Sequence, residues 1–154
     1  MGLSADQVAA IKESWELVAA DKKKHGSALF QALFEAHPDY QEMFRQAGIA
    51  DLKGDDLLSS PVMHAHAFMV MQGISALVEN LDDANVFLEL LRKNGRVHID
   101  RKVTIDHYKA ILGLLVPFFQ KRLGDSFTPA HADAWSAAAD AMIPGLQEGL
   151  ASSR

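Results

Sequence analysis

Apolar residues recur along this chain at three- and four-residue intervals, while alternation of apolar and polar positions is absent. That spacing lines one side of an α-helix with apolar groups, so it predicts helices and not strands. One stripe holds Leu29, Leu33 and Phe34. A second holds Met63, Ala67, Val70, Met71, Ile74, Leu77, Val78 and Leu81. A third holds Phe87, Leu90, Leu91 and Asn94, with His98 one further turn along it. Start signals precede several of these stretches. Ser4 and Gln7 form a capping-box pattern that opens a helix through Trp15 and Val18. Ser60-Pro61 and Thr128-Pro129 each set a hydroxyl cap before a proline suited to a first helical turn. Pro38, after His37, predicts another short helix. Two prolines fit badly: Pro117 lies inside the run Ile111–Phe119, and Pro144 inside the last helical stretch. An interior proline costs roughly 3 kcal/mol, so each is expected to kink or end its helix. The predicted class is all-α, with six to eight helices in a single domain over residues 1–154.

Composition narrows the chemistry. A length of 154 residues suits one core, and 49% hydrophobic with 23% charged residues argues for a folded globular chain. The net charge is −5, and Lys22-Lys23-Lys24 is too short a run to track a phosphate backbone, so nucleic acid is not an expected partner. The absence of cysteine excludes disulfides, thiolate catalysis and Cys-type zinc sites, and it suits a reducing cytoplasm. The N-terminus shows no basic-then-apolar signal pattern, and Asp6 stands where a myristoylation motif needs Ser or Thr. From Leu57 to Val78 there is no charged side chain, a stretch long enough to span a bilayer. It contains Ser59, Ser60, Pro61, His64, His66, Gln72 and Ser75, which lipid would penalise, so the expectation is a buried helix in a soluble domain. Exposed faces look mixed in charge, consistent with a monomer or weak homo-oligomer.

Seven histidines in a chain without cysteine point first to nitrogen ligation. His25, His37, His107 and His131 stand near polar neighbours at helix ends and are expected to be solvated surface imidazoles. His64 and His66 lie about 200° apart around a helix and cannot face one pocket. His66 shares its side with Val70, Gly73 and Leu77, and His64 points away. His98 follows a leucine-rich face and precedes a break. Residue type alone favours a hydrogen-bonded core or edge role for either His66 or His98 over a ligand role. The two stand too far apart for a short metal motif, and no His-Glu-x-x-His is present.

The chain resembles the globin family, and within it the neuroglobin-like branch. The resemblance rests on four stretches in order: His25–Phe44; Leu58-Ser-Ser-Pro with His66; Asn94–His98 with Val103 and Tyr108; and Phe127-Thr-Pro-Ala with Trp135. It implies a globin fold around one haem b. It makes His98 the proximal iron ligand and His66 the distal histidine, the sixth ligand when no gas is present; an open iron site, with His66 only donating to bound oxygen, is the alternative. It places Phe44 against the porphyrin, Phe30 and Val70 in the ligand pocket, and Val103 and Tyr108 on the proximal side. Phe30 has no hydrogen-bond donor, so stabilising a polar gas ligand falls to His66. Met69 stands where relatives carry a basic residue for a haem propionate; Arg45, Arg101 and Lys102 are the candidates for that role. The resemblance further implies O2, CO and NO as ligands and oxygen storage, supply or sensing as the function. Nitric oxide dioxygenase or nitrite reductase activity is the alternative, and it needs a separate reductase because no Gly-rich phosphate loop is present. A helical interaction module without haem is the reading from another class.

Overall fold

The computed structural model describes residues 2–152, and every regular element among them is helical. Seven α-helices run Ala5–Ala19 (α1), Lys22–Ala36 (α2), Gly54–Ser59 (α3), Pro61–Glu79 (α4), Ala84–His98 (α5), Ile105–Leu123 (α6) and Pro129–Ala151 (α7). Three short 3-10 turns, Pro38–Phe44, Ile99–Arg101 and Gly124–Ser126, complete them. The all-α class is thus as expected from the periodicity. The chain forms two compact units, Glu16–Ser75 and a larger one made of Met1–Trp15 with Ala76–Arg154.

Caps explain most helix starts. Ser4 and Gln7 bond reciprocally, backbone N–H to side-chain oxygen at 3.0 and 3.1 Å, as the capping-box pattern predicts. Asp21 and Asp83 each accept a backbone N–H at the N-termini of α2 and α5. The third residue of α6 and of α7 is histidine. His107 Nδ1 accepts the Thr104 N–H and His131 Nδ1 accepts the Thr128 N–H, both at 2.9 Å. Imidazole here takes the place that Glu or Gln holds in the usual box.

Neither interior proline ends its helix, contrary to one of the two outcomes expected. α6 continues through Pro117 and α7 through Pro144. The residues four positions earlier, Gly113 and Asp140, are exposed, so the carbonyls that lose a proline N–H can turn to water.

In the larger unit the core is aromatic. Trp135 is fully buried with its ring 5.9 Å from Trp15 and 4.9 Å from Phe119. Its indole N–H donates to Ser14 Oγ at 2.8 Å, and that hydroxyl donates to the Ala10 carbonyl at 2.8 Å. The buried indole and hydroxyl are therefore both satisfied. Helices α5 and α7 cross at backbone contact. A Cβ on Gly95 would lie 2.6 Å from the Leu146 carbonyl, and one on Gly145 would lie 2.7 Å from Leu91 Cβ. A Cβ on Gly149 would overlap the Arg92 carbonyl.

In the smaller unit α2 meets α4 as closely, a Cβ on Gly26 falling 2.9 Å from Ala67 Cβ. Leu29, Phe30, Leu33 and Phe34 form the buried face of α2, as the first stripe predicts. Gln41 braces the following loop by donating from Nε2 to the Ile49 and Leu52 carbonyls at 2.9 and 2.7 Å. Within α4 the second stripe divides: Met63, Ala67, Met71 and Val78 are buried, whereas Val70, Ile74 and Leu77 are half-buried. The other side of α4 exposes Val62, Phe68 and Met69, the last 69% exposed. The helix is therefore only partly buried, with large apolar side chains among its exposed residues. By length and composition α4 would suffice to cross a membrane.

Replacing Gly149 or Gly95 with Ala is expected to lower stability by roughly 1–3 kcal/mol, because the new methyl meets backbone that cannot yield. Gly113→Ala, where a Cβ meets nothing within 4 Å, is expected to raise it by roughly 0.5–1 kcal/mol. Urea unfolding followed by circular dichroism separates the two signs.

Candidate functional site

His98 closes α5, and its half-buried imidazole has a defined orientation. Nδ1–H donates to the Asn94 carbonyl one turn earlier at 2.7 Å. This bond assigns the proton to Nδ1 and leaves the Nε2 lone pair as the ring's acceptor. Burial pushes the imidazole below the ordinary histidine range; the hydrogen bond to Asn94 opposes that shift, and the Arg101 charge adds to it. The ring is consequently neutral at neutral pH, the form that donates to a metal. Beyond His98 the chain reverses through Ile99–Arg101, with Lys102 in the left-handed region (φ 60°). Val103 then donates its N–H to the His98 carbonyl at 3.4 Å.

Tyr108, from the first turn of α6, sets its ring edge-on to His98 with centroids 5.7 Å apart. Its hydroxyl reaches Asn94 twice, the side-chain Oδ1 at 2.5 Å and the carbonyl at 3.3 Å. Burial pushes the phenol well above its usual range, so it stays a neutral donor. His98, Val103 and Tyr108 thus lie together, with Arg101 exposed and its charge felt by both rings. Asn94 was read as part of a helical stripe and of the Asn94–His98 stretch that resembles globins, with no role of its own. Its place one turn before His98 was the available signal for its role as acceptor.

In the smaller unit His66 lies on α4 between two phenylalanine edges. Phe30 of α2 is buried with its ring 4.8 Å from the imidazole, and Phe44 of the Pro38–Phe44 turn is 5.0 Å away. Phe30 and Phe44 meet edge-on at 5.7 Å, and Phe34 backs Phe44 at 5.2 Å. Edge-to-face aromatic contacts of this kind restrict the ring's tilt. Val70, one turn after His66, is half-buried. His64 turns elsewhere, its Nε2 2.6 Å from the Leu58 carbonyl, in line with the opposite direction expected for it.

Among the basic candidates, Arg45 is engaged. It forms short charge-assisted contacts with Glu42 and reaches both Asp51 oxygens at 3.1 Å, which holds both carboxyls below their usual range. Among the four histidines expected at the surface, His131 is a correction. It is 6% exposed, capping α7 through Nδ1, stacked near Phe127 at 5.7 Å and facing Glu13 from Nε2 at 3.4 Å. The capping position buries it in the larger unit's core, which residue type at a helix start did not reveal.

An all-helical chain that carries a neutral imidazole of fixed tautomer, as His98 is, offers a nitrogen donor suited to a metal-bearing prosthetic group. The comparisons identify the class. The globin family profile matches residues 27–146. A globin of Tritia mutabilis is 32% identical over 152 residues, covering 95% of this chain and all of that one. A globin of Buccinum undatum is 34% identical over 138 residues, covering 88% and 92% of the two chains. Among solved structures, a hexacoordinated heme protein from an anhydrobiotic tardigrade superposes with a TM-score of 0.89 over 98% of this chain and 97% of that one, at 19% identity. The chain belongs to the globin family.

Membership implies haem, and the residues fit it. His98 supplies a neutral nitrogen donor of fixed tautomer, which is what ligation of a haem iron requires of a protein imidazole. Among the described residues no cluster of three or more His, Cys, Asp or Glu side chains offers a competing site for a bare ion. Replacing His98 with Ala is expected to abolish or strongly weaken haem uptake while leaving the far-ultraviolet helical signal. Haem titration followed in the visible region measures this, and an unaltered spectrum and affinity would show that iron is held elsewhere.

Proposed function

We propose that this chain is a haem-b protein that reversibly binds a diatomic gas, O2 foremost and also CO and NO, in oxygen storage, supply or sensing. The observation that carries the reading is the His98 imidazole, neutral and oriented by the Asn94 carbonyl. When bound, haem would supply an iron able to take a diatomic gas, with His98 as the residue that would hold it. The protein's own contribution is binding and orientation. His98 anchors the group, Val103 and Tyr108 line the proximal side, and Phe44, Phe30 and Val70 furnish apolar wall that excludes water. Arg101, exposed and close enough to act on His98 and Tyr108, is the cation we assign to a propionate. Arg45 is the weaker candidate, since Glu42 and Asp51 already hold it.

We assign His66 as the sixth ligand in the absence of gas, as in the neuroglobin-like globins the sequence resembles. Phe30 and Phe44 support this by fixing the tilt of its ring without offering a hydrogen-bond acceptor of their own. The tardigrade protein that shares the fold is described as hexacoordinated. With His66 in that role, gas would bind only the fraction of molecules in which His66 has withdrawn, lowering apparent affinity by that fraction. The role we assign is that of a binding protein and not an enzyme.

The deciding measurement is the visible spectrum of the protein reduced with dithionite under nitrogen. Sharp, split bands are expected, from two imidazoles on low-spin iron; one broad band would overturn the His66 assignment. His66→Leu is expected to raise the carbon monoxide association rate at least several-fold by flash photolysis, and an unchanged rate would count equally against it.

A further inference from the structure

We propose that Tyr108 is a positioning residue that controls, through Asn94, how strongly the protein polarises the His98 imidazole; the proposal rests on the haem reading above. Two groups converge on Asn94. The Asn94 carbonyl accepts the His98 Nδ1–H at 2.7 Å and lies 3.3 Å from the Tyr108 hydroxyl. That hydroxyl has a single proton and places it mainly on Asn94 Oδ1 at 2.5 Å. The tyrosine therefore fixes the Asn94 side chain and draws in part on the carbonyl that His98 depends on.

Two donors on one carbonyl oxygen weaken each other, because each lowers the electron density the other sees. The strength of the Nδ1–H bond in turn sets the electron-richness of Nε2 at the far side of the ring. A stronger bond gives the imidazole more imidazolate character and favours ferric iron; a weaker one favours ferrous. Tyr108 also touches the imidazole edge-on, so its ring and its hydroxyl act on His98 by separate routes. Phenylalanine at this position keeps the ring contact and removes only the hydroxyl.

Two variants move the bond in opposite directions. Tyr108→Phe leaves the carbonyl to His98 alone and strengthens the Nδ1–H bond. Asn94→Leu keeps the backbone carbonyl but removes Oδ1, so the Tyr108 proton swings fully to the carbonyl and weakens the bond. In the haem-loaded protein Tyr108→Phe is expected to shift the ferric–ferrous equilibrium about threefold towards ferric, and Asn94→Leu towards ferrous. Spectroelectrochemistry reads both. In the full chain without added haem, long-range proton–nitrogen NMR of His98 is expected to show the Nδ1–H tautomer, its proton moving downfield in Tyr108→Phe and upfield in Asn94→Leu. General damage to the fold would move both variants the same way. Unchanged His98 resonances, or shifts of one sign in both variants, would overturn the proposal. Failure of the wild-type chain to take up haem would overturn the haem reading instead, and the haem-free spectra would still decide whether Tyr108 governs His98.

Discussion

The backbone crossing of α5 on α7 is the constraint on which the arrangement around His98 rests. Gly95, Gly145 and Gly149 each stand where a Cβ would meet carbonyl oxygen, main chain or Leu91. Removing three side chains lets two helices approach until their backbones touch, and close approach multiplies weak dispersion contacts. The arrangement admits little adjustment, since backbone atoms cannot swing aside as side chains do. Leu91 and Leu146, both nearly fully buried, lock the same crossing. Helix α5 is thereby fixed along its length, and His98 sits at its last residue.

From that fixed helix the chemistry of His98 follows by short steps. The turn before it supplies the Asn94 carbonyl, which selects one tautomer. The turn after it reverses the chain and brings Tyr108 back against both residues. Burial keeps the imidazole uncharged and the phenol protonated. A neutral imidazole and a neutral phenol therefore face one another without a buried charge to compensate, which is the least costly way to hold polar groups in a partly apolar setting. The histidine of α4 is held by different means. Its aromatic neighbours include the edges of Phe30 and Phe44, which limit its orientation.

Much of the architecture was legible in residue order. The stripe Leu29, Leu33, Phe34 is the buried face of α2, and Ser4 with Gln7 caps α1 as its pattern indicates. The opposite directions of His64 and His66 followed from helical geometry alone. Other features were hidden for identifiable reasons. Pro117 and Pro144 carry a strong local signal against helix, yet both helices continue, because tertiary packing holds their flanks and the freed carbonyls reach solvent. His131 looked like a surface residue because polarity and a helix-start position usually mean exposure; Phe127 and the α7 cap instead bury it. The apolar outer side of α4 was also missed, since a stripe read from spacing does not say how much of it a neighbour covers.

By itself the sequence determined the helical class, the placement of most caps, and which two histidines deserve weight, because period, capping chemistry and family resemblance are all properties of residue order. Only the tertiary structure decided that Asn94 and Tyr108 together define the state of His98, that Arg45 is already engaged, and that glycines set the α5–α7 distance. Those outcomes depend on residues far apart in the chain meeting within a few ångströms. Hydrogen-bond direction, burial and steric exclusion act at that range, and spacing along a sequence does not encode it.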